Sequence, residues 1–221
     1  VGELRVPLVR SPAEQAEDEA FLRLYGEWAP LTPGEMAAEM AGFDRPWWVV
    51  GGWAVEAATG FRREHEDLDV SILACDVPAL VEHLRGRWHV WNNAGGVLRP
   101  LGERWTDVED PASQLWLRAS AADPWVVDVP LTPDRDGRWT HKFLPGEDAR
   151  VEDVTWLADD GIRYLAPEIV LSYKARLGRA KDDPDLEACL PVLTSAKRVW
   201  LWRAVEQTAP GHPWLDRLQQ P

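Results

Sequence analysis

The feature that most restricts this chain is the run from Trp47 to Leu73. The apolar WWVV ends in Gly51-Gly52. A short helical segment, WAVEAAT, follows and stops at Gly60, and the charged FRREHE leads into DLDVSIL. Apolar strand, Gly-Gly, short helix and second strand, with 14 residues between Gly52 and Asp67, require a layered packing of helix on sheet. In DLDVSIL, a strand period of two sends Leu68, Val70 and Ile72 into the core. Asp67, Asp69 and Ser71 share the other face. Two carboxylates side by side, with no basic residue between them, repel each other unless solvated or neutralised. Two readings follow: a strand edge facing water, or a site for a divalent cation. Mg²⁺ favours one or two carboxylates together with substrate phosphates.

A third acid bears on that choice. WVVDVPL (125–131) is apolar on both faces and reads as a central strand carrying Asp128. A buried carboxylate needs a partner. An arginine on a neighbouring strand, Arg118 or Arg138, is one candidate; a metal shared with Asp67 and Asp69 is the other. Gly51-Gly52 has the same duality. It is an ordinary tight turn, or a place where backbone N–H groups and a helix N-terminus meet a phosphate.

Helices are expected over Pro12 to about Trp28 behind the Ser11 cap, from Thr32-Pro33 to near Gly42, and over Val77–Arg85. Residues 1–10 read as a loose tail. Strand patterns recur in RWHVWNN, VLRPL, SQLWLRAS, WVVDVPL and GIRYL, with a hairpin turn at Asp136-Gly137. From Pro167 the pattern is helical, with Asp183 and Ser195 as caps. The division is thus an N-terminal helical segment (1–45), a core (46–166) and a C-terminal helical part (167–221). In PEIVLSYKARLGRAK, read as one helix, Lys174 and Lys181 share a face. Lys174 lies at the edge of the apolar stripe and reads as a solvated lysine or as one reaching a cleft between the two parts. His65, Arg62 and Arg63 are further neighbours of the acids, and Glu66 reads as a solvated loop residue. The Trp-rich strands (Trp88, Trp91, Trp116, Trp125, Trp139) read as core, with one or two available to an acceptor pocket.

The 221 residues are enough for a sizeable core, and the formal charge of −13 disfavours general nucleic-acid binding. A tRNA would need a local basic groove of Arg62, Arg63, Arg176, Arg179 and Lys181. No apolar run is long enough to span a membrane, the first residues do not form a secretory leader, and Cys75 and Cys189 lack metal-ligand spacing. A cytoplasmic location is the expectation.

The blocks VVGGWAVEAATG and HEDLDV, with the tail YLAPEIVLSYKARLGRAKDDPDLEACLPVL, resemble the nucleotidyltransferase superfamily of the DNA-polymerase-β type. The branch most similar is that of the aminoglycoside 2″-adenylyltransferases and lincosamide nucleotidyltransferases. The resemblance covers roughly residues 45–205. It implies an α+β fold, a mixed sheet flanked by helices with a small C-terminal helical part. It implies Asp67, Asp69 and Asp128 as catalytic Mg²⁺ ligands, and Gly51, Gly52, Lys174 and Lys181 as nucleotide contacts. A substrate hydroxyl would attack the α-phosphorus of an NTP, with ATP the expected donor, transferring NMP and releasing pyrophosphate. The general base is Asp128 or a nearby Glu or Asp. The acceptor class is an aminoglycoside or lincosamide. The rivals are a toxin-type transferase acting on protein or tRNA, a non-catalytic nucleotide or antibiotic binder on the same fold, and a carboxylate-pair glycosidase.

Overall fold

The computed structural model describes residues 5–8, 10–102, 104–105, 107–108 and 110–219. Helices α1 (Pro12–Tyr25) and α2 (Pro33–Glu39) each open on a capping box, Ser11 with Glu14 and Thr32 with Glu35. Helix α1 stops at Gly26, which takes a φ of 93°, short of the expected Trp28. Then come β1 (Trp47–Val49), α3 (Gly51–Thr59), β2 (Val70–Ile72) and α4 (Val77–Leu84). Four antiparallel strands follow: β3 (His89–Ala94), β4 (Val97–Pro100), β5 (Gln114–Arg118) and β6 (Val127–Pro130). A small ribbon holds β7 (Asp134–Arg135), β8 (Arg138–Thr140) and β9 (Asp148–Ala149), its first turn at Asp136-Gly137 as expected. After α5 (Val151–Val154) come β10 (Thr155–Leu157) and β11 (Arg163–Leu165), then α6 (Pro167–Ala175), α7 (Asp183–Cys189), α8 (Ser195–Thr208) and α9 (Trp214–Gln219).

The fold is α+β with a mixed sheet. One sheet runs β10-β11-β1-β2, with β1 parallel to β11 and its other pairings antiparallel. The second runs β4-β3-β5-β6. The two meet along a parallel seam between β2 and β6, bridged at Asp69–Asp128 and at Leu73–Thr132. Its hydrogen bonds include Asp128 N–H to Leu68 O and Thr132 N–H to Ile72 O, both 3.0 Å. Residues opposed in a parallel pair point to the same face, so this seam sets Asp69 beside Asp128. One apolar cluster underlies all of it, from Trp48, Leu68 and Val129 in the strands to Leu171, Leu186 and Leu201 in the C-terminal helices.

Several expectations need correction. The helix expected from Pro167 through Lys181 ends at Ala175. Gly178 takes a φ of 59°, and a short 3₁₀ turn, Ala180–Asp182, precedes α7. Lys174 and Lys181 therefore do not share a helix face. Thr194, rather than Ser195, caps α8, its hydroxyl accepting from Lys197 N–H, and Asp183 lies inside α7 rather than capping it. The described part of the N-terminal tail is tied down. Val6 bridges Arg63, Arg5 pairs with Glu56 at 2.5 Å, and Arg10 pairs with Glu66 and Asp18.

Candidate active site

Strand β2 and its N-terminal extension behave as the period-two reading requires. Leu68, Val70 and Ile72 are buried, and Asp67, Asp69 and Ser71 line a common cavity of about 490 Å³. Asp128 enters the same cavity from β6. The arginines considered as its partners are engaged elsewhere: Arg118 lies over Trp91 and Trp125, 4.5 and 4.2 Å from the ring centres, and Arg138 pairs with Asp148 at 2.9 Å. Asp128 Oδ1 is buried with no hydrogen-bond partner. Trp116, its cross-strand neighbour, brings an indole N–H toward the carboxylate without reaching hydrogen-bond geometry.

The three acids are half-buried among protein groups, and their carboxylates border the cavity. Burial raises the pKa of all three, and their mutual repulsion raises those of Asp69 and Asp128 further. Asp69 is pushed up to about 7, by burial first and then by Asp67. Asp128 is held well above the ordinary carboxylate range, by burial and then by Asp69 and Asp67. For Asp67 the second cause is the charge of Glu66. Among the described residues no three His, Cys, Asp or Glu side chains converge tightly enough to enclose an ion. The donor set nevertheless suits a hard divalent cation: three carboxylates, one with an orphaned buried oxygen.

Helix α3 begins at Gly51 itself, with no side-chain cap; Gly51 lines the cavity, whereas Gly52, also expected to contact nucleotide, does not. Gly51 has a φ of 63°, and a Cβ there would fall on the Asp69 carboxylate, 3.1 Å from Cγ and closer still to Oδ2. A Cβ on Gly52 would meet the Arg63 guanidinium and come within 2.9 Å of His65 Nδ1. Both glycines thus answer to the chain's own crowding at the acids. His65 stacks on Trp53 at 4.0 Å and meets Glu56 at 2.7 Å through Nε2; burial holds its pKa down to about 4. Trp53 Nε1–H donates to Asp67 O at 3.2 Å, which fixes the backbone of the acid loop.

Of the cations weighed on sequence grounds, Arg62 does not line this cavity, Arg176 lines it without an ion pair among the described residues, and Arg63, Lys174, Arg179 and Lys181 line it in ion pairs. Lys174 Nζ contacts Asp182 at 2.6 Å and Asp185 at 3.0 Å. Arg63 forks onto Asp185 at 2.9 and 3.1 Å, and Arg179 Nε reaches Asp182 at 2.8 Å. Lys181 meets Glu66 at 2.5 Å, so Glu66 is a half-buried ion-pair residue and not a solvated one. Lys142, given no role on sequence grounds, lines the cavity from the turn after β8, facing Asp128 and Asp69. A second cavity, about 810 Å³, opens on the other side of Asp67 and Asp128 beneath α1. Its wall carries Asp18, Glu19, Glu27 and Glu66 beside Phe21, Trp28 and Trp116, together with the cations Arg10, Arg179 and Lys181.

Residues 35–91 match the family model of the aminoglycoside-2″-adenylyltransferases. That segment holds Gly51, Gly52, Asp67 and Asp69; Asp128 and the lysines lie beyond it. The resemblance drawn from the Gly-Gly and Asp-x-Asp blocks to the antibiotic nucleotidyltransferase branch is borne out. Among solved structures, the chain is similar to ANT(2″)-Ia in complex with adenylyl-2″-tobramycin, at 16% identity and a TM-score of 0.43, covering 83% of this chain and 90% of that one. It is similar also to the lincomycin-bound lincosamide adenylyltransferase LnuA, at 17% identity and a TM-score of 0.48, covering 72% and 94%. No curated protein is matched by the chain. No helix among the described residues is long and apolar enough to cross a membrane.

Proposed function

We propose that this chain transfers a nucleoside monophosphate, AMP from ATP, onto a hydroxyl of a cationic small molecule of the aminoglycoside or lincosamide type. The observation that carries this reading is the pair of cavities of opposite character meeting at Asp67 and Asp128. The first is rich in Lys and Arg and has the start of α3 at its rim, which suits a triphosphate. In the second, carboxylates outnumber the cations Arg10, Arg179 and Lys181 and stand beside aromatic rings, which suits an amine-bearing ring system. A donor anion and a cationic acceptor would then meet across the carboxylates.

Asp67, Asp69 and Asp128 would hold Mg²⁺, which when bound neutralises them and supplies Lewis-acid polarisation of the phosphate. Asp128, with its pKa raised by burial and by the other acids, borders both cavities and would take the proton of the attacking hydroxyl. A tRNA acceptor is disfavoured. Arg63, Arg179 and Lys181, three of the cations its groove would need, are held by Asp185, Asp182 and Glu66. A non-catalytic binder leaves the mutual repulsion of the acids without a use.

The test is pyrophosphate release with each NTP and Mg²⁺ against a panel of aminoglycosides and lincosamides. Acceptor-dependent release is expected with ATP, and Asp69→Asn is expected to lower it by at least about a thousandfold, the scale of several kcal/mol from metal-assisted charge stabilisation. Wild-type rates in Asp69→Asn would overturn the reading.

A further inference from the structure

Among the described residues, six side-chain cations line the first cavity, and four of them are committed to carboxylates of the chain itself. Arg63, Lys174, Arg179 and Lys181 hold Asp185, Asp182 and Glu66 at 3.1 Å or less. Lys142 and Arg176 have no ion pair among the described residues. They are nevertheless positioned with care. His141 Nε2 meets Ser172 Oγ on α6 at 3.0 Å, and Phe143 N–H donates to His141 Nδ1 at 3.1 Å. The turn carrying Lys142 is thereby pinned against α6. Arg176, at the end of that helix, lays its guanidinium over the Phe143 ring, 3.5 Å from the centre. One anchored turn and one helix end therefore bring two uncommitted cations to the same wall. The Lys142 ammonium feels the charges of Asp128, Asp110 and Asp69 and has no ion pair with any of them.

A half-buried lysine out of ion-pair reach of the nearby carboxylates costs the fold some desolvation until an anion arrives. Burial accordingly pushes the Lys142 pKa down. Lys174 is in the reverse position. Turning it toward a ligand would break its contacts with Asp182 and Asp185, both buried, and leave each of them a single arginine partner. We propose that Lys142 and Arg176 hold the phosphates of the nucleoside triphosphate, while Lys174 and Lys181 hold the cavity wall together. This rests on the nucleotidyl-transfer reading above and assigns its phosphate contacts. Lys142 supplies a compact charge near the acids, and Arg176 a planar fork for phosphate oxygens nearer the mouth.

The experiment is calorimetric titration of wild type, Lys142→Met, Lys142→Arg, Arg176→Ala and Lys174→Met with α,β-methylene-ATP in MgCl₂, and with AMP. Thermal midpoints are taken without ligand. Lys142→Met is expected to weaken α,β-methylene-ATP binding by about 10- to 100-fold, with partial rescue in Lys142→Arg. Arg176→Ala, at an exposed position, is expected to weaken it by about three- to fivefold. AMP affinity is expected to stay within about twofold throughout. Without ligand, Lys142→Met should keep or raise the midpoint, whereas Lys174→Met should lower it. Unchanged α,β-methylene-ATP affinity in both Lys142→Met and Arg176→Ala overturns the assignment while leaving nucleotidyl transfer intact. So does a lowered midpoint in Lys142→Met, which marks a structural lysine. A wild-type chain that binds no α,β-methylene-ATP overturns both readings.

Discussion

Two groups of buried charge share the first cavity and are built in opposite ways. In one, Arg63, Lys174 and Arg179 alternate with Asp182 and Asp185, and every charge touches its opposite. In the other, Asp67, Asp69 and Asp128 stand together with Lys142 facing them, and none of the four has an ion pair among the described residues. The first group ties the loop after α3 to α6 and α7, and so acts as a structural clamp. The second is a concentration of like charge that the fold itself does not neutralise. Natural chains keep such a conflict where a ligand resolves it. The contrast separates the cations and acids that make the cavity from those that would use it.

The sharpest way to break that contrast is to remove a member of the clamp. Asp185 is fully buried and serves both Arg63 and Lys174. Asp185→Ala leaves two buried cations short of a partner, which is expected to cost about 3–5 kcal/mol of stability. Urea unfolding of wild type and variant measures it. A loss below about 1 kcal/mol would show that the clamp is solvated and that the two groups are not different in kind.

The opposite sign is expected in the acid group. Asp69 in the folded chain keeps its proton up to about 7, against about 4 for an unfolded aspartate. Between those values the folded state binds more protons than the unfolded state. Stability from this group is therefore present at low pH and lost as pH rises through the window. His141 and His65 work the other way: burial holds both near 4, so their contribution grows as pH rises from there to about 6.5. Comparing wild type with Asp69→Asn at each pH cancels the histidines. In EDTA at pH 8 the variant should melt about 5 °C or more above wild type, with the gap narrowing toward pH 5. Added Mg²⁺ should raise the wild-type midpoint at pH 8 and leave that of the variant nearly unmoved. An Asp69→Asn variant less stable than wild type at pH 8 would place Asp69 with the clamp.

How much of this was legible in the sequence follows from range. The unit β1, Gly-Gly, α3, Asp-x-Asp declares itself because strand alternation, glycine turns and helix stops are local signals. The face shared by Asp67, Asp69 and Ser71 followed from period two alone. The clamp and the seam were not legible, because they join distant parts of the chain: Lys181 meets Glu66 across 115 residues and Arg63 meets Asp185 across 122. No periodicity records such pairings, so Glu66 read as a solvated residue and Lys174 as a free cation. Lys142 escaped because its turn has no period. Its one sequence signal is rarity, as one of only four lysines among the 24 basic residues. The apolar spacing extends the C-terminal helix too far because it continues through Leu177 and Ala180, past the point where Gly178 turns the chain.

The smallest effect probes the second cavity, where the same distinction between committed and free charge recurs at the surface. Asp18 and Glu66 are paired with Arg10, whereas Glu19 and Glu27 have no ion pair among the described residues. Both free acids are exposed, so each contributes long-range attraction more than contact energy. Glu27→Gln is expected to raise KM for a polyamine-bearing acceptor by about two- to fivefold while leaving kcat nearly unchanged. The difference should vanish at about 1 M salt, where screening shortens the reach of charge to roughly 3 Å. Asp18→Asn, by contrast, also leaves Arg10 with Glu66 alone, which Lys181 already holds, so its KM effect should exceed that of Glu27→Gln. Equal effects, or an effect on kcat alone, would mean that the acidic wall does not select the acceptor and that its charge serves only the packing of α1.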